Sequence, residues 1–199
     1  MYEDYCRNTF TKYLSISRNE DFTIDQKVID NALALNPDII VLTSPNNPTG
    51  TTVTLDEIAQ LAQAAAQVNG LLIVDEAYAE FSDLPSAVTL INEYANLVVI
   101  RTMSKAFAFA GARLGYLIAN QELVSAMFLV RLPYHLSSLT QAAAEVALEF
   151  QGELLGSVST LINSRKSVIS ELEKLGLQVV PSQANFILFT GFSQDPAQL

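Results

Sequence analysis

Asp38-Ile39-Ile40-Val41-Leu42, followed after Thr43 by Ser44-Pro45-Asn46-Asn47-Pro48-Thr49-Gly50, is the stretch on which the fold turns. The first five residues make a short apolar run rich in β-branched side chains, and the next group is dense in turn formers. Together they read as a buried strand ending in a fixed turn. Downstream, Thr54-Leu55-Asp56-Glu57 has capping-box spacing, and Leu55, Ile58, Ala59, Leu61, Ala62, Ala65, Ala66 and Val68 keep one apolar face as far as Asn69-Gly70. That pattern predicts a helix with a defined start and stop. Leu71-Leu72-Ile73-Val74 repeats the strand pattern and runs into Asp75-Glu76. After a second polar and helical stretch, Leu97-Val98-Val99-Ile100 makes a third strand, closed by Arg101-Thr102-Met103-Ser104-Lys105. Such alternation predicts parallel strands with right-handed crossovers, hence an α/β sheet flanked by helices on both faces. In sheets of this kind functional groups gather beyond the carboxyl ends of the strands.

Beyond residue 120 the pattern is helical, with a break at Leu132-Pro133. Residues 138–149 read as one helix and residues 153–175 as a longer one, stopped by Gly176 with Lys174 in its last turn. Two short strand-like runs, 177–180 and 185–189, follow. The expected division is a partial large domain over 1–150, then an interdomain helix and the truncated start of a small α+β domain over 151–199.

Half of the 199 residues are apolar and 16% are charged, so a packed core is expected and a disordered chain is excluded. The formal charge of −10 disfavours nucleic acid and anionic membranes as partners. That deficit lies wholly in residues 1–100, which hold 14 acidic and 4 basic side chains, against 7 of each in residues 101–199. Between residues 101 and 131 the balance reverses, with Arg101, Lys105, Arg113 and Arg131 against Glu122 alone. Cys6 is the single cysteine and can form no internal disulfide, which fits a reducing compartment. There is neither an apolar run of the roughly 18 residues that span a bilayer nor a signal-peptide pattern at the N-terminus, so a cytoplasmic location is expected.

The three predicted strands end in Asn47, in Asp75 with Tyr78, and in Ser104-Lys105 with Arg113 eight residues after Lys105. Parallel neighbours would bring these groups to one crevice. The only histidine, His135, lies far along the chain, which leaves no Ser-His-Asp set; it reads as a local hydrogen-bonding residue, and Glu76 as a structural acid. No metal cluster is present, no phosphate loop of the form G-x-x-x-x-G-K-[ST] occurs, and Gly111-Ala112-Arg113-Leu114-Gly115 is not a dinucleotide fingerprint. One lysine, one carboxylate and an anion clamp fit pyridoxal phosphate chemistry, in which the lysine binds the cofactor covalently and the acid pairs with its ring nitrogen.

Ser44-Pro45-Asn46-Asn47-Pro48-Thr49-Gly50, Val74-Asp75-Glu76-Ala77-Tyr78 and Thr102-Met103-Ser104-Lys105-Ala106-Phe107 through Gly111-Ala112-Arg113-Leu114-Gly115-Tyr116 resemble the fold-type-I aminotransferases. Their order and separations are similar to those of the histidinol-phosphate aminotransferase family. Arg131-Leu132-Pro133-Tyr134-His135-Leu136-Ser137 with Thr140-Gln141-Ala142-Ala143 resembles one bacterial branch of it. The resemblance implies a mostly parallel sheet, pyridoxal 5'-phosphate as cofactor, a homodimer, and exchange of an amino group between L-histidinol phosphate and 2-oxoglutarate in histidine biosynthesis. It further implies that Lys105 carries the cofactor and moves the proton of the substrate α-carbon. Asp75 would meet the pyridine nitrogen, Asn47 and Tyr78 the phenolic oxygen, and Ser104 and Arg113 the phosphate. Tyr134 would contact a phosphorylated substrate.

Members of that family are longer at both ends, so these 199 residues are expected to be inactive by themselves. An aminotransferase of aromatic amino acids or a related decarboxylase would share the three motifs. Outside the enzymes, a catalytically dead remnant or binding module is the alternative, against which all six cofactor positions keep the required chemistry.

Overall fold

β1 (Ile39–Thr43), β2 (Leu71–Asp75) and β3 (Leu97–Thr102) lie side by side and parallel, and β4 (Gly115–Ala119) adds antiparallel to β3. These elements come from a computed structural model that describes residues 1–191. The α/β architecture with a mostly parallel sheet is as expected. Residues 192–199, at the end of the expected small domain, lie outside the described residues.

Strand periodicity assigns the two faces. Pairing places Leu42, Val74, Val99 and Ile118 in register, with Ile40, Leu72 and Leu97 on the same side. This face packs against Ile58, Leu61 and Ala62 of α3 (Leu55–Gln67) and Ile29 of α2 (Gln26–Leu33). Leu72, Val74, Leu97 and Val99 are fully buried there, each worth about 1.5–3 kcal/mol of transfer free energy. α3 starts where its capping box predicts: Thr54 accepts from the Glu57 amide, and Glu57 accepts in return from the Thr54 amide.

The opposite face carries Thr43, Ile73, Asp75, Ile100 and Thr102. Cover on this face is uneven: Val98 is 1% exposed, whereas Ile39 and Val41 of the edge strand β1 remain 52% and 39% exposed. Only the first crossover holds an α-helix. The second, between β2 and β3, has two short 3₁₀ turns, Ala79–Phe81 and Ala87–Leu90, where the sequence suggested a helix. Ala87 joins the core under the first face, so both crossovers pack on that side. Asp75 is therefore placed by a period of two on the less covered face, at the carboxyl end of its strand.

α4 (Gln121–Val130), α5 (Ser138–Glu149) and α6 (Gln151–Lys174) follow, the first two capped by Asn120 and Ser137. α6 gives way to Gly176 at φ +82°, as its stop signal predicts. β5 (Gln178–Val179) pairs antiparallel with β6 (Phe189–Thr190), so the run 185–189 enters a strand only at its last residue. A second core of Phe81, Met103, Phe107, Ala144, Ala147 and Val158 joins α5 and α6 to the loops after β2 and β3. Arg165 of α6 adds a polar tie: buried, it donates to the carbonyls of Phe81 at 3.2 Å and Ala184 at 2.7 Å. Burial lowers its pKa and Asp83 opposes that shift. Among the described residues, no helix is long and apolar enough to cross a membrane, and no group of three or more His, Cys, Asp or Glu could hold a metal ion.

Candidate active site

The turn after β1 is held by its own side chains. Thr43 donates to the Asn46 amide oxygen, Asn46 Nδ2 donates to Thr49 Oγ1 at 2.8 Å, and the Gly50 amide donates to the Asn46 carbonyl at 2.7 Å. Gly50 has φ +76°, and a Cβ there would lie 2.3 Å from Ser182 Oγ. Only glycine meets both conditions, and the Gln183 amide closes the contact by donating to the Gly50 carbonyl at 2.8 Å. The turn thus leaves Asn47 exposed at the strand end, where its Nδ2 donates to the Tyr78 hydroxyl at 3.1 Å.

β2 delivers two neighbouring acids to opposite faces, as strand geometry requires. Glu76 goes inward and is 3% exposed. It accepts from Arg101 Nε at 3.0 Å and Nη2 at 2.7 Å, from Ser86 Oγ at 2.7 Å and from the Ala87 amide at 2.6 Å. Arg101 Nη1 also pairs with Glu80 at 3.0 Å. Burial by itself lowers the Arg101 pKa, but Glu76 and Glu80 more than reverse this and leave it above its usual value. Removing one partner would strand the other charge away from water. Glu76→Ala is expected to cost about 3–5 kcal/mol of stability, measured by urea unfolding; a loss below about 1 kcal/mol would contradict this account.

Asp75 faces the other way. Its Oδ1 accepts from the Ala77 amide at 3.0 Å, and its Oδ2 accepts from the Tyr2 hydroxyl at 2.5 Å. Tyr2 opens α1 (Tyr2–Asn8), and burial followed by the hydrogen bond to Asp75 pushes its phenol pKa far above the ordinary value. Nothing local in the sequence signals this contact, which spans 73 positions.

β3 leads into a loop pinned by the Met103 amide donating to the Leu114 carbonyl and the Phe109 amide donating to the Met103 carbonyl. Lys105 is exposed in this loop, its Nζ 5.5 Å from the centroid of the Tyr78 ring, and among the described residues no carboxylate forms a salt bridge with it. Phe186 packs edge-on against the same ring at 5.0 Å, a second contact that the sequence left unread. Ser104 sits beside Lys105, its amide donating to Thr102 Oγ1 at 3.1 Å. Arg113 is exposed in the left-handed region, φ +53°, and its Nη1 donates to the Ala110 carbonyl at 3.1 Å.

Asn47, Tyr78 and Lys105 are thus brought into one cluster, with Asp75 on the strand end beside it and Ser104 and Arg113 on the loop that carries Lys105. Tyr134 is placed apart, fully exposed between α4 and α5. The cationic excess of residues 101–131 is also narrower than its count. Arg101 is consumed by Glu76 and Glu80, and Arg131 stacks 4.4 Å from the centroid of Phe128. Lys105 and Arg113 are what remain to meet an anion.

The family model for class I and II aminotransferases matches residues 1–198. The chain belongs to that family. It is 53% identical over 191 residues to the histidinol-phosphate aminotransferase of Mycolicibacterium smegmatis, covering 95% of this chain and 50% of that protein. The histidinol-phosphate aminotransferase of Clostridium acetobutylicum superposes with a TM-score of 0.87 at 28% identity, over 97% of this chain and 59% of that one. The enzyme of Sinorhizobium meliloti in complex with pyridoxal-5'-phosphate superposes with a TM-score of 0.84 at 26% identity, over 94% and 52%. The fold is therefore that of the fold-type-I aminotransferases, and the chain spans about half the length of the curated relatives it matches.

Proposed function

We propose that this chain carries the cofactor-binding centre of a pyridoxal-phosphate-dependent aminotransferase that, at its relatives' full length, exchanges an amino group between L-histidinol phosphate and 2-oxoglutarate. The observation that carries the reading is the cluster of Asn47, Tyr78 and Lys105 at two strand ends and the following loop, in a chain 53% identical to a histidinol-phosphate aminotransferase.

The donor set suits the cofactor. Asp75 presents a half-buried carboxylate at the carboxyl end of β2, the charge that suits a cationic ring nitrogen. Asn47 and Tyr78 supply an amide and a phenol for the phenolic oxygen. Ser104 and Arg113 supply a hydroxyl and a guanidinium for the phosphate, the guanidinium through two parallel donors that a lysine could not reproduce. Bound there, pyridoxal phosphate supplies an electron sink for the carbanion left when the substrate α-carbon loses its proton. Lys105 Nζ is the group that removes this proton, since it is the exposed amine beside Tyr78 and has no salt-bridging carboxylate among the described residues. Tyr134 is proposed as a contact to the substrate phosphate on the strength of its motif alone.

The domain division proposed is 1–150 and 151–199, α6 opening the second part. A homodimer is proposed as well: Phe128, Leu129 and Val130 of α4 are 56%, 87% and 77% exposed, as an uncovered interface helix would be. The protein's place is proposed to be the cytoplasm, and the 199 residues alone are proposed to be inactive.

The deciding experiment compares amino transfer from L-histidinol phosphate and from phenylalanine by the full-length protein. Preference for the phosphorylated donor by at least about a hundredfold in kcat/KM is expected, because a site built for a polar group rejects the analogue lacking it. Equal rates would favour the aromatic aminotransferase reading.

A further inference from the structure

Arg165 joins, through one nitrogen, the two segments that hold Tyr78. It is 7% exposed on α6, and its Nη1 donates both to the Phe81 carbonyl at 3.2 Å and to the Ala184 carbonyl at 2.7 Å. Phe81 ends the 3₁₀ turn that Tyr78 caps, and its amide donates to the Tyr78 carbonyl at 3.0 Å. Ala184 stands two residues before Phe186, whose ring meets the Tyr78 ring edge-on at 5.0 Å. A shift of Arg165 therefore reaches both the backbone that carries the phenol and the ring that packs on it.

The segment 182–186 is stiff enough to pass such a shift on. Ser182 Oγ accepts from the Ala184 amide at 3.1 Å and donates to the Phe186 carbonyl at 2.7 Å. Gln183 fastens the segment to two strand-end turns: its amide donates to the Gly50 carbonyl at 2.8 Å, and its Oε1 accepts from the Asp83 amide at 3.0 Å. Arg165 itself forms no salt bridge among the described residues, and its buried Nε has no partner there. A buried guanidinium is costly, and an apolar side chain would fill the same space without that cost. What the guanidinium adds is the junction of the two carbonyls. At the far end of that junction the Tyr78 hydroxyl accepts from Asn47 Nδ2 at 3.1 Å, which leaves its own proton to give.

We propose that Arg165 is a positioning residue for Tyr78: by holding the Phe81 and Ala184 carbonyls on one nitrogen, it fixes the phenol ring against Phe186 and aims its hydroxyl at the cofactor's phenolic oxygen. The inference rests on the pyridoxal phosphate reading above and adds to it a residue of α6 that acts through Tyr78, without touching the cofactor or the substrate.

The test uses the full-length protein and follows the pH midpoint at which the lysine-linked absorbance passes from its acid to its alkaline form. A donor on the phenolic oxygen favours the alkaline form, in which that oxygen is charged and the linking nitrogen holds no proton. Arg165→Met keeps the length of the side chain and removes its donors and charge. It is expected to raise the midpoint by about one pH unit, the tenfold in proton affinity that one displaced hydrogen bond to a charged oxygen is worth. Phe186→Leu removes the ring edge and leaves Arg165 in place; it is expected to raise the proton affinity about threefold, the size of an edge-on ring pair. In a Tyr78→Phe background Arg165→Met is expected to change the proton affinity by less than about twofold, because the hydroxyl it acts through is gone. A tie that serves only the fold would lower the urea midpoint of Arg165→Met and leave the pH midpoint where it was. An unmoved pH midpoint in either single variant, or an equal rise in the Tyr78→Phe background, overturns the proposal while the cofactor reading stands. If Arg165→Met does not fold, Phe186→Leu decides by itself. A parent protein that forms no lysine-linked absorbance overturns both readings, and that failure is seen before any variant is made.

Discussion

Lys105→Ala, in the full-length protein, is expected to abolish the near-visible absorbance of lysine-bound pyridoxal phosphate and to lower the turnover of L-histidinol phosphate by at least about 10³-fold. The replacement removes two functions at once, the covalent attachment point and the base that takes the α-proton; proton transfer alone contributes about 10²–10⁴. The side chain is exposed and forms no salt bridge among the described residues, so the core loses nothing when it is shortened. Stability should stay within about 0.5 kcal/mol of the parent. Absorbance and urea unfolding measured on the same preparations check both halves. Persistent lysine-linked absorbance would remove Lys105 from its proposed role, and a collapse of stability would mean that the amine serves the fold.

Asp75→Asn has the next largest expected effect, a fall in kcat of about 10²–10³ with a smaller change in KM for the amino donor. The substitution keeps the size of the side chain and one carbonyl oxygen for the Ala77 amide, and withdraws the negative charge that would meet the ring nitrogen. An electrostatic contact used mainly as charge develops acts on kcat more than on substrate binding, and the magnitude is that of one such preorganised group. A kcat within about fivefold of the parent would show that the charge is not used. Asp75 and Glu76 separate the two kinds of acid in one strand end: Asp75→Asn should change catalysis with little loss of stability, and Glu76→Ala should change stability first.

Much of this was legible along the chain because it is local. β-branched runs, the capping box at Thr54–Glu57 and the stop at Gly176 involve neighbours within a few residues, and the structure has them where the pattern puts them. The three strand-end motifs were legible for the same reason, since each is a short segment whose turn chemistry is its own. β4 carries no turn signal of its own, since Gly115 and Tyr116 also close the motif around Arg113, yet Gly115–Ala119 pairs fully with β3. The α-helix expected between β2 and β3 is replaced by 3₁₀ turns, where the buried Glu76 carboxylate takes up the Ala87 amide and the Ser86 hydroxyl. Local helical pattern there yields to a long-range polar contact.

Periodicity and short-range turn preference carry the α/β class, the parallel alignment of the first three strands and the chemical groups that stand at their ends. Packing selects which of those groups are free to act. It turned Glu76 inward to consume Arg101, turned Asp75 outward, set Tyr78 between Asn47, Lys105 and Phe186, and brought Tyr2 across 73 positions to the Asp75 carboxylate. The reason is physical: a residue's propensity is written in its neighbours along the chain, but its partner is chosen by packing, which places distant segments in contact and leaves the intervening sequence without a trace of it.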